Sequence, residues 1–304
     1  MGTCLAESGQ ETCELCRGED IVTRAGSERA EAALCEHLAR CPACRGTGFL
    51  RTTDAHGYEV MAPCARGGVV RRVRLYNEMA LPARFHDVRL NAYEARPGSD
   101  SNQRQMRSIV EALRDRLIDA QRPDGSIEPG IRGLGLSGEP GVGKTHLICA
   151  LARELTVDYG MTVRYADFST LLWDLKSRFE QGSGEASLLA PLIDADVLVL
   201  DEVGKGKASE WDISIIDALV AGRYNRRKTI VFATNYAFTE APALVDMNRA
   251  AGALRGGGMS HLETLKGRVH DRVFSRLCEM CELVTVVGPD QRKARLAESS
   301  RSAR

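Results

Sequence analysis

The stretch Gly138-Glu-Pro-Gly-Val-Gly-Lys-Thr145 decides which fold the sequence predicts, because it matches the phosphate-binding pattern G-x-x-x-x-G-K-[ST]. It follows a short apolar run at residues 134–136 and precedes a helical pattern at residues 145–155. Its glycines allow the backbone to curl, so that several amide groups converge at the amino end of a helix. Phosphate oxygens bind at such a place, and the motif therefore predicts a site for a nucleoside triphosphate.

The side chains of the motif have separate expected roles. The ammonium group of Lys144 is expected to reach the β- and γ-phosphates of ATP, and the hydroxyl of Thr145 to bind Mg²⁺, which prefers oxygen ligands. The alternative is a plain turn followed by a helix cap, but the complete match between a strand and a helix argues against it. The motif residues predicted to contact the nucleotide are Gly138, Glu139, Pro140, Gly141, Val142, Gly143, Lys144 and Thr145.

Polar side chains follow two further apolar runs. In Val197-Leu-Val-Leu-Asp-Glu202, Asp201 is predicted to bind Mg²⁺, and Glu202 to orient and deprotonate the attacking water. The run Thr229-Ile-Val-Phe-Ala-Thr-Asn235 ends at Asn235, which is either a turn residue or a contact between the γ-phosphate and that water. Together with Lys144, these side chains predict a site for ATP hydrolysis.

Apolar runs alternate with helical patterns from residue 133 onward, which is typical of a parallel sheet covered by helices. This alternation predicts an α/β fold. The predicted strands are residues 134–136, 163–166, 197–200, 229–233 and 283–287, and the predicted helices are residues 145–155, 169–179, 211–227 and 262–280.

The composition changes near residue 95, which predicts a domain boundary there. Turn-forming segments at residues 96–103 and 121–130 flank a further predicted helix at residues 106–120. We therefore expect an amino-terminal domain at residues 1–95, a linker and connecting helix at residues 96–130, and a nucleotide-binding domain at residues 131–304. The sequence shows no evident internal repeat.

The overall composition excludes several classes of protein. The 304 residues carry 41 basic and 41 acidic side chains, so a histone-like nucleic-acid binder and an acidic tail are both excluded, and any contact with DNA must be a local patch. No stretch approaches the roughly 20 apolar residues needed to span a bilayer, and no secretion signal opens the chain. We expect a cytoplasmic protein that contacts no membrane.

Seven of the ten cysteines lie before residue 65, and in a reducing compartment such clustering favours a metal over disulfides. Two C-x-x-C pairs provide four thiolates for a tetrahedral Zn²⁺ ion of structural type. The four predicted ligands are Cys13, Cys16, Cys41 and Cys44. The alternative ligands Cys35, His37, His56 and Cys64 stay open, including a site made from Cys41, Cys44, His56 and Cys64.

A basic run, Arg66-Gly-Gly-Val-Val-Arg-Arg-Val-Arg74, follows the cysteines. It is either a contact with the phosphate backbone of a nucleic acid or an exposed helix or strand edge. No aromatic residues are interleaved with the arginines, which favours the exposed element.

Several stretches together resemble the bacterial helicase loaders of the DnaC and DnaI type, which are AAA+ ATPases, and their IstB-like relatives that help transposition. The resemblance extends from about residue 81 to residue 292. The stretches that carry it are Leu81-Pro-Ala-Arg-Phe85, residues 138–147 with His146 after the Lys-Thr pair, residues 196–204, residues 267–277 and Gly288-Pro-Asp-Gln-Arg292. Residues 239–260 are longer than the family pattern and have no assigned role.

The resemblance implies an AAA+ fold and a set of site residues. It implies that His146 belongs to the nucleotide site, that Asn235 is the first sensor, and that Arg292 is the second. Arg276 would be the arginine finger given to a neighbouring subunit, with Arg272, one helical turn earlier, as its competitor.

The resemblance also implies partners. The amino-terminal domain would hold a hexameric replicative DNA helicase, and the ATPase domain would contact single-stranded DNA and associate with copies of itself. A transposition helper that recruits a transposase is the alternative. A third alternative is an adaptor ordered by nucleotide without turnover, against which the presence of Glu202 and Arg276 argues.

Overall fold

The structure, a computed structural model, describes residues 13, 15–36, 43–45, 47, 49–54, 56–64, 67–93, 101–122, 125–180, 185–238 and 264–291. Four features singled out in the sequence lie outside these residues, namely Cys41, His37, Arg292 and the segment 239–260.

The described elements are short strands followed by alternating helices and strands. The strands are β1 (Ile21–Ala25), β2 (Ala30–Leu34), β3 (Phe49–Thr53), β4 (Glu59–Pro63), β5 (Gly133–Gly138), β6 (Val163–Asp167), β7 (Val197–Asp201), β8 (Thr229–Thr234) and β9 (Cys281–Val286). The helices are α1 (Gly67–Met79), α2 (Ser101–Asp119), α3 (Lys144–Val157), α4 (Phe168–Glu180), α5 (Glu185–Asp194), α6 (Glu210–Asn225) and α7 (Leu265–Met280), with a 3₁₀ turn at Ala83–Phe85.

A five-stranded sheet in the order β6-β7-β8-β5-β9 forms the centre of the fold. Every pairing in it is parallel. The carboxyl ends of all its strands therefore lie at one edge, which brings the ends of β5, β7 and β8 together. Because β7 and β8 are buried at every position, their central residues are a continuous apolar run rather than an alternating pattern. The predicted α/β fold is confirmed.

Helices cover both faces of this sheet. One apolar core joins α1, α2 and α3 to the sheet, and it contains Leu113, Leu134 and Leu151. A second core joins α4 to α7 to the opposite face, and it contains Leu200, Leu219 and Val273. The phosphate-binding motif lies between β5 and α3, so both of its flanking elements are fixed in the first core.

Arg223 is a charged residue at the centre of the second layer, and it is 0% exposed. Its guanidinium donates to five carbonyl oxygens, those of Leu192, Ile193, Ala195, Asp196 and Thr229. Burial lowers its pKa to about 9. The group stabilises the fold because these carbonyls at the end of α5 and the start of β8 need donors.

The first hairpin, β1–β2, packs on the rest of the molecule. The side-chain amide of Asn77 in α1 exchanges two hydrogen bonds with the backbone of Ala32, at 2.7 and 3.1 Å. Ala30 donates its N–H to the carbonyl of Leu81 at 2.7 Å. Ile21 and Ala30 join the first core. The predicted boundary near residue 95 thus separates stretches that share one core in the described residues.

The basic run at residues 66–74 lies in α1 from Gly67 onward, and two of its arginines bond the end of α3. Arg72 donates to the carbonyl of Val157 at 2.6 Å, and Arg71 donates to the carbonyl of Gly160. Both carbonyls follow or end α3, where a positive charge is favoured by the helix dipole. The run therefore caps the helix that begins at the phosphate loop.

Two features depart from the sequence expectations. The predicted helix at residues 262–280 begins at Leu265 and leaves the helical conformation at His270, where φ is 66°. Helix α5 was not predicted, and it contains Pro191. Among the described residues, no helix has the length and apolar character needed to cross a membrane.

Candidate nucleotide-binding site and cysteine clusters

The phosphate-binding motif forms the loop between β5 and α3, and its glycines are required by conformation and space. Gly141 has φ of +90° and Gly143 has φ of +102°, which side chains rarely adopt. A Cβ atom on Gly141 would lie 2.1 Å from Oδ1 of Asp290, and one on Gly143 would lie 3.0 Å from the hydroxyl of Tyr93. Gln291 donates its backbone N–H to the Gly141 carbonyl at 3.0 Å. The segment after β9 therefore packs directly on the loop.

Lys144 is the first residue of α3, and its ammonium group joins the loop to the end of β8. Nζ donates to the carbonyl oxygens of Gly138 at 2.6 Å and Glu139 at 3.0 Å. It also donates to Oδ1 of Asn235 at 2.9 Å. The sequence-predicted residues Lys144 and Asn235 thus lie together, although 91 positions separate them in the chain.

Asp201 is the last residue of β7, and it is only 4% exposed. Burial raises the pKa of its carboxyl group, and hydrogen bonds from the Thr145 hydroxyl and the Glu202 amide oppose this rise. The hydroxyl of Tyr165 donates to the other carboxylate oxygen at 3.1 Å. The structure therefore places Asp201 beside Thr145, the two residues predicted to bind Mg²⁺.

Glu202 follows β7 in a left-handed backbone conformation, with φ of 55°. Its Oε2 accepts a hydrogen bond from the Asn235 amide at 3.3 Å and lies 3.4 Å from Nζ of Lys205. Unlike Asp201, it is only partly buried. A left-handed conformation is uncommon for a residue other than glycine, and such strain concentrates at functional sites.

These groups line one cavity of about 350 Å³, a volume in the range of ligand sites. Its walls combine the phosphate loop, the ends of β7 and β8, the 3₁₀ turn and the start of the segment after β9. The lining residues are Arg84, Phe85, Pro140, Gly141, Gly143, Lys144, Thr145, His146, Glu202, Asn235 and Gln291.

The cavity also contains two residues of the 3₁₀ turn to which the sequence gave no role. The guanidinium of Arg84 lies over the ring of Phe85 at 4.7 Å, and both line the cavity. His146 lies beside Tyr93, with 5.6 Å between ring centroids. Arg84 and Phe85 belong to the Leu81-Pro-Ala-Arg-Phe85 motif, but only the fold shows that the motif faces the phosphate loop.

The two candidate arginine fingers differ in their surroundings. Arg276 is 20% exposed and donates to Oδ1 of Asp217 at 2.8 Å. Arg272 is 71% exposed and lies 3.9 Å from the other oxygen of the same carboxylate. Arg276 is thus held within its own chain, whereas Arg272 extends into solvent.

The described cysteines of the amino-terminal region form two groups, and the predicted ligand Cys41 lies outside the described residues. The Sγ atoms of Cys13, Cys16 and Cys35 all lie within 4.8 Å of one another. Hydrogen bonds from the backbone of Cys16 and Leu15 lower the pKa of the Cys13 thiol to about 6, which favours the thiolate form that zinc binds. Cys35, an alternative ligand from the sequence, therefore joins the first C-x-x-C pair.

Cys44 lies elsewhere, in a small buried cluster with Cys64. In the alternative site made from Cys41, Cys44, His56 and Cys64, the described members lie at different ends of one hairpin. His56 lies in the turn of the β3–β4 hairpin, where its N–H bonds Oδ1 of Asp54 at 2.9 Å. Cys44 precedes β3 and Cys64 follows β4, so both lie at the end of the hairpin opposite its turn. A strand of five residues, about 13 Å long, separates the two ends. No single ion reaches both ends.

A buried ion-pair network connects the first cysteine cluster to the phosphate-loop helix. The N–H of Glu19 bonds the carbonyl of Cys16 at 2.8 Å, and its carboxylate accepts from Arg153 of α3 at 2.6 Å. Arg89 donates to the same carboxylate. The side chain of Arg153 is 3% exposed, so loss of Glu19 would leave a charge buried without that partner.

Comparison with known proteins finds similarity in the region of the phosphate loop and the central sheet. A family model described as IstB-like ATP binding protein matches residues 131–256. The replicative helicase loader DnaC of Escherichia coli K12 is 32% identical over 110 residues, which are 36% of this chain and 44% of that protein. Phage-like element PBSX protein XkdC of Bacillus subtilis is 31% identical over 106 residues, which are 33% of this chain and 39% of that protein.

A structural comparison agrees. A crystal structure of the DnaC helicase loader matches with a TM-score of 0.51 and 24% identity, covering 67% of this chain and 99% of that one. The predicted resemblance to IstB-like and DnaC-type proteins is confirmed for residues 131–256, which match an IstB-like domain, and the structural match agrees with the predicted α/β fold. The sequence match spans less than half the length of the DnaC protein.

Proposed function

We propose that this protein is an ATP-dependent loader of a replicative DNA helicase, with residues 131–304 as its ATPase domain. The observation that carries the proposal is the hydrogen-bonded chain from Lys144 through Asn235 to Glu202, at the mouth of a glycine loop. Its occurrence in an IstB/DnaC-like domain supports ATP as the substrate. The zinc-binding region at residues 1–95 and the connecting region at residues 96–130 complete the proposed architecture.

In this proposal the loop amides and Lys144 bind the triphosphate. Lys144 now donates to two loop carbonyls and to Asn235, and a phosphate oxygen would take the place of one of these acceptors. Released from Lys144, the amide of Asn235 is free to orient on the γ-phosphate while it still contacts Glu202. Binding of ATP thereby couples the position of Glu202, the proposed base, to the presence of the γ-phosphate.

Different residues are proposed to bind the metal and to act as the base. Thr145 and Asp201 would hold Mg²⁺, which neutralises phosphate charge when bound. The donors fit, because a hydroxyl and a carboxylate oxygen lie side by side. Glu202, less buried than Asp201, would accept the proton of the attacking water. His146 and the segment with Arg292 would complete the nucleotide site.

The thiolates suit a structural zinc ion. Three sulfur atoms within 4.8 Å of one another match the spacing set by Zn–S bonds of about 2.3 Å. In the proposal, Cys13, Cys16 and Cys35 hold this ion and keep Glu19 in place against Arg153. Zinc thereby stabilises the contact between the amino-terminal region and the helix that starts at the phosphate loop.

Copies of the chain would share their sites through an arginine. Exposure favours Arg272 over Arg276 for a contact with the neighbour, because Arg276 bonds Asp217 at 2.8 Å whereas Arg272 lies 3.9 Å from the same carboxylate. We expect Arg272→Ala to lower ATP turnover on the order of 10³-fold. Mixing it with a Lys144→Ala chain, which retains Arg272, should restore part of the activity. Turnover at several mixing ratios measures the rescue.

Arg276→Ala is the matched variant. If Arg276 stabilises the contact between α7 and α6, its loss lowers the melting temperature, and Asp217→Asn has the same effect. Mixing with the Lys144→Ala chain then restores no ATP turnover. Rescue of Arg276→Ala by mixing, together with full activity of Arg272→Ala, would instead identify Arg276 as the arginine finger.

The partner is tested by co-purification. We expect the tagged full-length chain, with ATP and Mg²⁺, to retain the hexameric replicative helicase encoded by the same genome, and to bind a labelled single-stranded oligonucleotide. The family description IstB-like favours a second candidate, a DNA-binding helper that recruits a transposase. Retention of a transposase and not of the helicase would favour that candidate.

A further inference from the structure

We infer that Tyr165 is a positioning residue of the metal site, because its hydroxyl holds the carboxylate of Asp201 in the orientation that binds Mg²⁺. The inference rests on the proposed function, in which Asp201 is a ligand of the metal that accompanies ATP. Tyr165 would act through Asp201 and not on the nucleotide itself.

The two residues come from neighbouring strands of the central sheet. β6 pairs with β7 in parallel, with Tyr165 beside Val199 and Asp167 beside Asp201. Side chains alternate along a strand, so Tyr165 and Asp201 lie on the same face of the sheet, two positions apart. Two positions correspond to about 7 Å along a strand. The long side chain of tyrosine spans this distance.

Both groups are buried, so the bond between them forms away from solvent. Tyr165 is 7% exposed and Asp201 is 4% exposed. The side chain of Tyr165 belongs to the core that joins α3 to the sheet, and this packing fixes the position of its hydroxyl. The hydroxyl donates to Oδ2 of Asp201 at 3.1 Å. A hydrogen bond to a charged group is stronger than one between neutral groups, and this bond therefore opposes rotation of the carboxylate.

Three donors together orient the carboxylate of Asp201. Oδ1 accepts the N–H of Glu202 at 3.0 Å, Oδ2 accepts the hydroxyl of Tyr165, and the hydroxyl of Thr145 also bonds the group. Thr145 and Glu202 have their own proposed roles, in metal binding and in catalysis. Among the described residues, the hydroxyl of Tyr165 bonds Asp201 alone. Orientation of this carboxylate is therefore the contribution that is left for it.

An uncharged donor suits a carboxylate that must bind a cation. A lysine or arginine in place of Tyr165 would also orient Asp201, but its positive charge would repel Mg²⁺. A phenol hydroxyl satisfies one oxygen of the buried carboxylate and leaves its negative charge in place. Loss of such an outer partner typically lowers metal affinity or activity by roughly 10- to 100-fold.

Tyr165→Phe tests the inference, since it removes the hydroxyl and keeps the ring. Titration calorimetry of the full-length protein measures the affinity for a non-hydrolysable ATP analogue, once with Mg²⁺ and once in EDTA without metal. We expect the variant to bind the analogue with Mg²⁺ roughly 10-fold more weakly than the unchanged protein does. Its affinity for the analogue in EDTA should stay the same, whereas a merely structural role would weaken both.

Tyr76→Phe is the matched control. Tyr76 is 0% exposed in the same core, and its hydroxyl bonds an uncharged acceptor, the carbonyl of His86, at 2.8 Å. Its loss should lower the melting temperature and leave both affinities unchanged. Melting curves of both variants separate lost stability from lost metal binding.

Two results for Tyr165→Phe would overturn the inference. One is an unchanged affinity for the analogue with Mg²⁺, and the other is an equal loss of affinity with Mg²⁺ and in EDTA. Failure of the unchanged protein to bind the analogue would instead overturn the proposed function, and the inference with it. Tyr165→Met, which also lacks a donor and adapts to irregular spaces, repeats the test if Tyr165→Phe fails to fold.

Discussion

Lys144→Ala is expected to abolish detectable ATP binding. The ammonium group of Lys144 is the charged end of the phosphate loop, where it already bonds three oxygen atoms within 3.0 Å. Among the described residues that line the cavity, Lys144 is the lysine or arginine of the phosphate loop, and Arg84 belongs to the 3₁₀ turn. A charge-assisted bond to phosphate in a partly enclosed site contributes about 1.5–3 kcal/mol, and the variant also frees Asn235 from its partner.

Titration calorimetry with a non-hydrolysable ATP analogue and Mg²⁺ measures the effect. Lys266→Ala is the matched control, because Lys266 is 46% exposed and pairs with Asp271 away from the cavity. The control should bind as the unchanged protein does. Undiminished affinity of Lys144→Ala for the analogue would remove the basis for a phosphate site in this loop.

The parallel sheet was predictable because its signals are local. The two central strands β7 and β8 are apolar runs, and they are followed or ended by residues that the chemistry requires, Asp201 and Asn235. Parallel pairing then brings those ends to one edge without further information. The helix α5 was missed because Pro191 interrupts its pattern.

The grouping of the described cysteines depends on tertiary structure. Cys35 lies beside Cys13 and Cys16 because it directly follows the β1–β2 hairpin, which returns the chain to the first C-x-x-C pair. Cys44 and Cys64 belong to one buried cluster, before and after the β3–β4 hairpin. The spacing of the C-x-x-C pairs shows neither hairpin, so sequence alone does not show which cysteines lie together.

Long-range polar contacts were also beyond sequence reasoning. The pairing of Glu19 with Arg153 joins residues 134 positions apart, and neither lies in a recognisable motif. The contacts of Arg71 and Arg72 with the end of α3 were equally unpredictable, because a basic run in sequence does not show which of its arginines bond a neighbouring helix. Such contacts depend on tertiary packing, which periodicity does not encode.

Glu202→Gln is expected to bind ATP normally and to hydrolyse it at least ~100-fold more slowly, the usual effect of removing a general base. Glutamine has nearly the same shape, so the left-handed backbone at φ 55° and a hydrogen bond with Asn235 can both remain. What it lacks is the carboxylate that accepts a proton. The matched control is Glu128→Gln, an exposed glutamate outside the cavity lining.

Single-turnover hydrolysis with excess protein, together with analogue affinity, separates the possible outcomes for Glu202→Gln. Slow chemistry at unchanged affinity assigns the proton transfer to Glu202. Weaker binding with a matching loss of turnover would show that Glu202 acts by positioning Asn235 and Lys205, its two described contacts at 3.3 and 3.4 Å. Near-normal turnover would exclude Glu202 as the base. Asp201 would be a poor replacement, because both of its oxygens accept hydrogen bonds and it lies beneath Thr145.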